Sequence, residues 1–396
     1  MASETPRGEW NVPLIGAAEV RGRQERARRL ADERGFAALL VVGRSFYDRP
    51  GDLAYLSNHF PPFPSTVFSD GNRGMGHAFL LLPVRGEPTL LTDPRRHRAD
   101  LVAVADVRAA ADLGAAAIAL LRERGLGEGR VGLVGDDILP AAFDRAFGRE
   151  LPELTLEPAS EIVAGLRRIK SPAEQELLRL AGRCADAGLM AAVEAIQREG
   201  ATEREVCAAS TAACLRAGAD FVRYFRVHSG PWSAAGSRWP QAMDRPIREG
   251  EVVVLDAIGA VGGYGFDVNR TTVKGQVAAE RRELLDLVER ATEAAVAACR
   301  AGATAGDVVG AAMALIGPSH WAGSVGAMMG HGIGLETVEE PYLSLGSTAL
   351  LEPGMCLCVE PGIFVPGEIG AVIEQEVIIT ADGPPEVITP TPARLW

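Results

Sequence analysis

Two short runs of strand-like residues, each carrying one aspartate, most constrain how this chain can fold. The stretch covers residues 251–275 and reads EVVVLDAIGAVGGYGFDVNRTTVKG. Its β-branched and aromatic residues on both sides of a Gly-Gly pair predict a β-hairpin that turns at Gly262 and Gly263. Aspartate is depleted in strands, so Asp256 and Asp267 need a chemical reason to be there.

The predicted turn decides which residues of the hairpin face each other. A two-residue turn at the glycine pair places Asp256 opposite Asn269 and Asp267 opposite Ile258. The two aspartates are then diagonal neighbours on one face, with β-carbons roughly 7 Å apart. Carboxylates this close in a half-buried sheet repel each other unless a cation lies between them. The hairpin therefore predicts a divalent metal ion.

A second hairpin of the same kind is predicted nearer the C-terminus. Two apolar runs flank Pro-Gly-Glu, and a three-residue loop centred on Gly367 places Glu360 opposite Glu374. Between the hairpins, the segment GHGIG carries His331 among glycines, where backbone can approach closely. Four carboxylates and one imidazole can form a dinuclear site, and this set suits Mn, Co, Fe or Zn without a thiolate.

Taken singly, these features do not identify a metal site. A lone strand aspartate is more often a turn or edge residue than a ligand. The GHGIG segment lacks the lysine and the hydroxyl residue of a phosphate-binding loop, and glycine-rich turns are common. The prediction rests on the combination.

The combination resembles the metal-binding segments of the pita-bread metallopeptidase family. The segments are, in order, LDAIGAVGGYGFDVNRT, GHGIGLETVEEPYL and CVEPGIFVPGEIGAVIEQEVIIT. That family comprises methionine aminopeptidases, Xaa-Pro aminopeptidases, prolidases and the metal-free creatinases. The resemblance implies a centre of two divalent ions with five ligands: Asp256, Asp267, His331, Glu360 and Glu374. It extends upstream through GLRRIKSPAEQELLRLAG to GDLAYLSNHF, which implies the two-domain prolidase and creatinase branch.

The implied fold class is α+β, with a pita-bread catalytic domain preceded by a smaller α/β domain of the creatinase and prolidase type. A length of 396 residues also favours two domains. We expect a disordered tail at residues 1–13, the N-terminal domain at 14–163 and the metal-binding domain at 164–396. Capping boxes at Ser171 and Thr202 predict the starts of two helices. Further helices are predicted at 17–34, 109–124, 141–149, 279–300 and 304–316, and strands at 37–42, 78–83, 89–92 and 131–134.

Two positions depart from the family pattern. Peptidases of the family usually carry a histidine where this chain has Trp239, and they read V-H-E-E-P where it has Val338. By resemblance, those histidines contact the substrate and help to move protons at the scissile bond. We expect Trp239 and Val338 to line the substrate pocket and ordinary peptide cleavage to be weak. Asn269 also replaces the threonine that usually stands beside the second aspartate.

The segment HSGPWSAAGSRWP is the substrate wall that the resemblance implies. His228 either supplies the missing proton shuttle or is a structural histidine hydrogen-bonded to backbone. Trp232 and Trp239 either form an apolar or cation-binding wall or are buried packing. Arg238 or Arg245 can pair with a substrate carboxylate, since arginine offers bidentate geometry.

We therefore expect a metal-dependent hydrolase that acts on a small or dipeptide-like substrate, at an amide or other C–N bond, with water activated by two metal ions. The resemblance suggests that Glu360 takes the proton from that water. One alternative is a non-peptide lyase or hydrolase on the same scaffold, which the two missing histidines favour. The other is a non-catalytic binding protein, which the retention of all five ligands disfavours.

The net charge of −12, without a basic stripe, argues against nucleic acid or an anionic membrane as a partner. No apolar run approaches the roughly 18 residues needed to span a membrane, and MASETPRGEW does not read as a signal peptide. The six cysteines are expected to be reduced in a cytoplasmic protein. Cys356 and Cys358 share strand parity with Glu360 and could edge the metal site, although core packing is favoured. The resemblance implies a homodimer.

Overall fold

The computed structural model describes residues 15–63, 68–69, 72–95, 97–235 and 239–396. It divides into two compact units, one ending at Arg167 and the other beginning at Arg168, close to but not at the boundary expected after residue 163. The tail predicted at residues 1–13 lies outside the described residues. No helix in the described part of the chain has both the length and the hydropathy that a membrane span requires.

The first unit is an α/β arrangement around one six-stranded sheet. Its helices are α1 (Ala17–Glu33), α2 (Gly51–Ser57), α3 (Leu113–Glu123), α4 (Ala141–Glu150) and α5 (Ser160–Arg168). Its strands are β1 (Ala38–Arg44), β2 (Phe68–Ser69), β3 (Asn72–Arg73), β4 (His77–Pro83), β5 (Thr89–Thr92), β6 (Asp106–Ala109), β7 (Gly129–Val134) and β8 (Leu154–Pro158). The sheet order is β6-β5-β4-β1-β7-β8. Strand β1 lies in the middle of this sheet. It is buried along nearly its whole length, which explains its apolar sequence.

The second unit pairs four helices with three further sheets. Its helices are α6 (Pro172–Ile196), α7 (Glu203–Arg216), α8 (Ala279–Ala298) and α9 (Ala305–Ile316). Its strands are β9 (Phe221–Ser229), β10 (Val252–Val261), β11 (Tyr264–Val273), β12 (Gly330–Gly332), β13 (Cys356–Val359), β14 (Gly362–Val365), β15 (Ile369–Val372), β16 (Gln375–Ile378) and β17 (Glu386–Val387). The sheet orders are β11-β10-β9, β12-β13-β16-β17 and β14-β15.

Side-chain caps set where several helices begin. Ser171 and Thr202 each accept a hydrogen bond from the backbone N–H three residues on, and a glutamate at that position closes the capping box. These bonds satisfy backbone donors that a helix start leaves unpaired, and both starts are as predicted. Helix α3 begins later than predicted because Asp112 caps it by accepting from the Ala115 N–H, and the preceding residues form β6 instead.

Both predicted hairpins form with the predicted register. Asp256 pairs with Asn269, and Ile258 with Asp267. The turn residues Gly262 and Gly263 have φ angles of 59° and 81°, a region that favours glycine.

The second hairpin closes over a three-residue loop, because Val365 pairs with Ile369. The same register continues beyond the ends of β14 and β15, where Val359 pairs with Gln375. Glu360 and Glu374 lie between these two paired stretches and are therefore brought together.

Strand β9 is not predicted from the sequence. It pairs antiparallel with β10. The predicted substrate wall, HSGPWSAAGSRWP, begins inside this strand, at His228. Two arginines and a histidine interrupt the apolar residues of β9, so the strand has no clean alternation to reveal it. The short elements α2, β6, β8 and α5 were also not predicted.

A buried arginine fastens the two hairpins to the C-terminal segment. Arg270 donates to the backbone carbonyls of Asn269 at 2.9 Å, Pro392 at 3.0 Å and Thr391 at 2.7 Å, and also to the carbonyl of Glu374. Burial lowers the pKa of Arg270 to about 10. Because it satisfies several carbonyls at once, this side chain fixes the position of the segment that carries Glu374.

Candidate metal centre

The five predicted ligands converge in the second unit. Asp256 and Asp267 lie on one face of the β10–β11 hairpin, and His331 lies on β12. The His331 Nε2 atom is 3.8 Å from Asp267 Oδ2 and 3.6 Å from Glu360 Oε1. Ligand atoms of His331 and Glu374 belong to one group that lies within 4.8 Å. The structure thus brings the predicted set together.

Backbone geometry orients the histidine toward the acids. His331 Nδ1 lies 2.9 Å from the Gly332 carbonyl oxygen, and since a carbonyl only accepts, Nδ1 carries the proton. The Nε2 lone pair then faces carboxylate oxygens, an arrangement that a cation stabilises. Gly330 has a φ of 143°, and a Cβ there would lie 2.1 Å from the Cys358 carbonyl oxygen. The glycines beside His331 therefore permit this close approach.

Three carboxylates at the centre, those of Asp256, Glu374 and Glu376, each have one oxygen held by protein and one without a hydrogen-bond partner among the described residues. The backbone N–H and the side-chain amide of Asn269 donate to Glu374 Oε2 at 2.9 and 2.5 Å. Asp256 Oδ2 lies 2.8 Å from Arg226. Asp256 Oδ1 and Glu374 Oε1 are buried with no hydrogen-bond partner among the described residues. An unpaired buried polar atom costs about 1–3 kcal/mol, so these oxygens fit the requirements of a bound metal ion.

Burial and mutual repulsion make the acids hard to ionise. Burial raises the pKa of Asp256 to about 6. Burial and the charge of Asp256 raise the pKa of Glu360 to about 8. Burial and neighbouring carboxylates raise the pKa values of Asp267 and Glu374 well above their usual range. A divalent cation would reverse these shifts by favouring the charged forms.

Two further residues at the centre were not predicted. Glu376 is fully buried and accepts the Asp267 N–H at 2.8 Å, and burial raises its pKa to about 8. It lies two residues after Glu374, and this strand spacing could have revealed it. Cys358 is buried as expected, but it pairs with His331 in the sheet, and its thiol shares the 4.8 Å group with His331 and Glu374. Cys358 is therefore a core residue, as expected, and its thiol also lies at the edge of the proposed metal site.

The residues predicted for the substrate differ in exposure. Trp239 is 85% exposed, Trp232 46% and Val338 45%. The alternative that the two tryptophans are buried packing residues is therefore wrong. The backbone next to Val338 pairs with the ligand strand, since the Gly332 N–H donates to the Glu339 carbonyl at 2.8 Å. Arg238 lies outside the described residues.

Arg245 and His228 have structural surroundings. Arg245 donates to both oxygens of Glu251, at 2.7 and 2.5 Å, and to the Ser229 hydroxyl at 2.6 Å. His228 is buried on β9 opposite Val254. These positions favour a structural role for both residues over the predicted contact with substrate.

Comparisons with known proteins match both units. A sequence profile described as metallopeptidase family M24 matches residues 176–381, and one described as the creatinase/prolidase N-terminal domain matches residues 23–169. A probable dipeptidase, PepE, from Mycobacterium tuberculosis is 34% identical over 316 residues, covering 77% of this chain and 81% of that protein. An Xaa-Pro dipeptidase from Pyrococcus furiosus is 33% identical over 225 residues, 56% of this chain and 64% of that protein.

Solved structures agree over nearly the whole chain. Dipeptidase PepE from Mycobacterium ulcerans has a TM-score of 0.81 at 27% identity, covering 97% of this chain and 99% of that one. An Xaa-Pro dipeptidase from Bacillus anthracis has a TM-score of 0.80 at 28% identity, covering 95% and 99%. The matches confirm the predicted α+β fold class with its smaller N-terminal domain.

The metal-free protein is expected to lose stability as the pH rises from about 4 to about 8. The pKa values of Asp256, Glu360 and Glu376 are raised, so the folded state keeps protons that the unfolded chain releases. This stabilisation is complete below the unfolded pKa values and is lost as the pH rises through the folded ones. Thermal unfolding of chelator-treated protein between pH 5 and pH 8 measures it, and Mn²⁺ added at pH 8 should restore the Tm. A metal-free Tm that increases across this range would contradict the prediction.

Proposed function

The chain belongs to metallopeptidase family M24, and from this premise we propose that it is a hydrolase that uses two divalent ions to cleave an amide or other C–N bond of a small substrate. One observation carries the proposal. Four carboxylates, three of them buried, converge with one imidazole, and Asp256 Oδ1 and Glu374 Oε1 have no hydrogen-bond partner among the described residues. The names of the relatives, which are dipeptidases, support an amide substrate.

We assign the metal ligands as Asp256, Asp267, His331, Glu360 and Glu374. When bound, divalent ions supply a Lewis acid for the substrate carbonyl and lower the pKa of a water nucleophile. The donor set suits Mn, Co, Fe or Zn. Asn269 holds Glu374 in place, and the Gly332 carbonyl fixes the tautomer of His331. These outer contacts orient the ligands before any substrate arrives.

Glu360 is the residue that we assign to proton transfer. Its side chain is 22% exposed, whereas His331 is almost fully buried. Burial and the charge of Asp256 raise its pKa to about 8 in the absence of an ion, and a bound cation would lower it again. A carboxylate that is ionised at the working pH can act as a general base. Glu360 can therefore accept a proton from the attacking water and return it to the leaving nitrogen.

Removing one carboxylate should remove metal and activity together. Asp256→Asn and Glu374→Gln keep the side-chain shape but weaken ion binding, by more than the roughly 10–100-fold that losing an outer contact costs. Metal analysis after dialysis should give about two ions per chain for the wild type and fewer for both variants. Glu386→Gln is the matched control. Glu386 lies on β17 and pairs with Arg179 of α6, not with a proposed ligand. Full activity in metal-free wild-type protein would refute the proposal.

We infer the kind of substrate from the two departures from the family pattern, at Trp239 and Val338. Trp239 and Val338 are exposed and provide no proton-carrying group where the family resemblance expects histidines. An apolar wall favours a substrate other than an ordinary dipeptide, and this observation supports a non-peptide hydrolase or lyase as the second candidate. Both candidates use the same five ligands.

Turnover of Xaa-Pro dipeptides should be poor although metal binding is intact. General acid–base assistance contributes about 10²–10⁴-fold, and its loss should take the rate below the usual enzymatic range of about 1–10³ per second. A panel of Xaa-Pro dipeptides, other dipeptides and small cyclic or N-substituted amides, assayed with fully metal-loaded protein, tests this. Dipeptide turnover within the usual range would refute the substrate proposal and leave the metal proposal standing.

We also propose that the chain works as a homodimer, as the family resemblance implies. Multi-angle light scattering at assay concentration should then give twice the 41.8 kDa mass of the chain. The matching activity measurement must be made on the same fraction, since dilution can separate subunits. A fully active monomer would contradict this proposal.

A further inference from the structure

An arginine occupies one end of the proposed metal centre. Arg226 lies on β9 directly opposite Asp256 of β10, and its guanidinium is 2.8 Å from Asp256 Oδ2. The Arg226 side chain is only 13% exposed. A short contact between opposite charges at such a site is stronger than a surface ion pair because water screens it less.

Two neighbours hold this arginine in place independently of the aspartate. Its guanidinium lies over the ring of Tyr224, 4.8 Å from the ring centroid, and its Nε donates to Gln241 Oε1 at 2.9 Å. Tyr224 and Arg226 are two residues apart on one strand, so both point to the same face of the sheet. The contact with Asp256 is therefore built into the strand and does not depend on a loop.

Arg226 places its positive charge beside one end of the proposed metal centre, at Asp256. In the described part of the chain, no lysine or arginine forms an ion pair with the side chains of Glu360 or Glu374. Glu360 and Glu374, at the His331 end, are therefore not paired with a protein cation of this kind, whereas Asp256 is already paired with Arg226. A metal ion at Asp256 must share that carboxylate with a guanidinium.

We propose that Arg226 competes with a metal ion for Asp256: its guanidinium holds Oδ2 and leaves only Oδ1 open to an ion. The chain then binds its first ion at the His331, Glu360 and Glu374 end and its second, at Asp256, more weakly. This inference rests on the proposed dinuclear function and adds a residue that controls metal occupancy. The second ion then binds at a higher free metal concentration than the first. Any activity that needs both ions follows the second step.

Metal titration of full-length protein tests the inference without an activity assay. Chelator-treated protein is dialysed against graded free Mn²⁺, and bound Mn²⁺ per chain is measured. The wild type should load in two separate steps. Arg226→Met should move the second step to a concentration about 10–100-fold lower, since a charge-assisted contact to the ligand is gone. The first step should move much less.

Two further variants serve as controls. Arg204→Met also removes an arginine paired with a carboxylate, because Arg204 contacts Asp244 at 2.5 Å in an exposed position, and it should load like the wild type. Arg226→Gln removes the charge but keeps a polar side chain, so it should move the second step as Arg226→Met does and preserves the test if Arg226→Met does not fold. Circular dichroism establishes which variants are folded.

The outcomes separate this inference from the proposed function. Loading of both ions by the wild type in a single step, or an unchanged second step in folded Arg226→Met, overturns the role of Arg226 while the metal centre stands. A wild type that holds only one ion at saturating Mn²⁺, joined by a second ion in Arg226→Met, supports the competition in its strongest form. No Mn²⁺ on any variant overturns the metal centre and this inference together.

Discussion

The second unit depends on how a cluster of buried negative charge is balanced. Asp256, Asp267, Glu360, Glu374 and Glu376 meet between two hairpins, and burial raises the pKa of each. Removing ionised carboxylates from water costs several kcal/mol each unless cations pair with them. The protein supplies part of that balance itself. The remainder must come from protons or from metal ions, and this choice links the stability of the unit to its chemistry.

The architecture holds the charges together by placing every proposed ligand on or beside a strand. Two turns with glycine in the left-handed region fix the hairpin registers, and Arg270 ties β11 to the segment that carries Glu374. Asn269 then binds Glu374 through both its backbone and its side chain. A rigid set of this kind cannot relax to separate its carboxylates. The repulsion between the carboxylates is therefore retained in the folded state, and a bound cation would relieve it.

Local signals predicted the parts of this site that local chemistry determines. The Gly-Gly turn and the loop at Gly367 each fix a register over short distances, so the facing of Asp256, Asp267, Glu360 and Glu374 could be worked out from the sequence. Strand β9 joins the sheet from more than twenty residues away, and its pairing depends on tertiary contacts that no turn encodes. Arg226 was missed for that reason. The burial of His228 and the exposure of Trp239 were likewise not readable from residue type.

Two groups of residues act on two separate properties of the site, and only the first group, Trp239 and Val338, departs from the family pattern. Trp239 and Val338 change what the exposed side can offer a substrate, because they remove proton-carrying groups and add apolar surface. Arg226, Cys358 and Glu376 lie against the ligands and change the charge and the donor set that an ion meets. In the proposed function, the five converging ligands and the contacts that orient them keep the metal chemistry, while Trp239 and Val338 change what the site offers a substrate. The fold alone does not fix the substrate, which depends on the residues of the site.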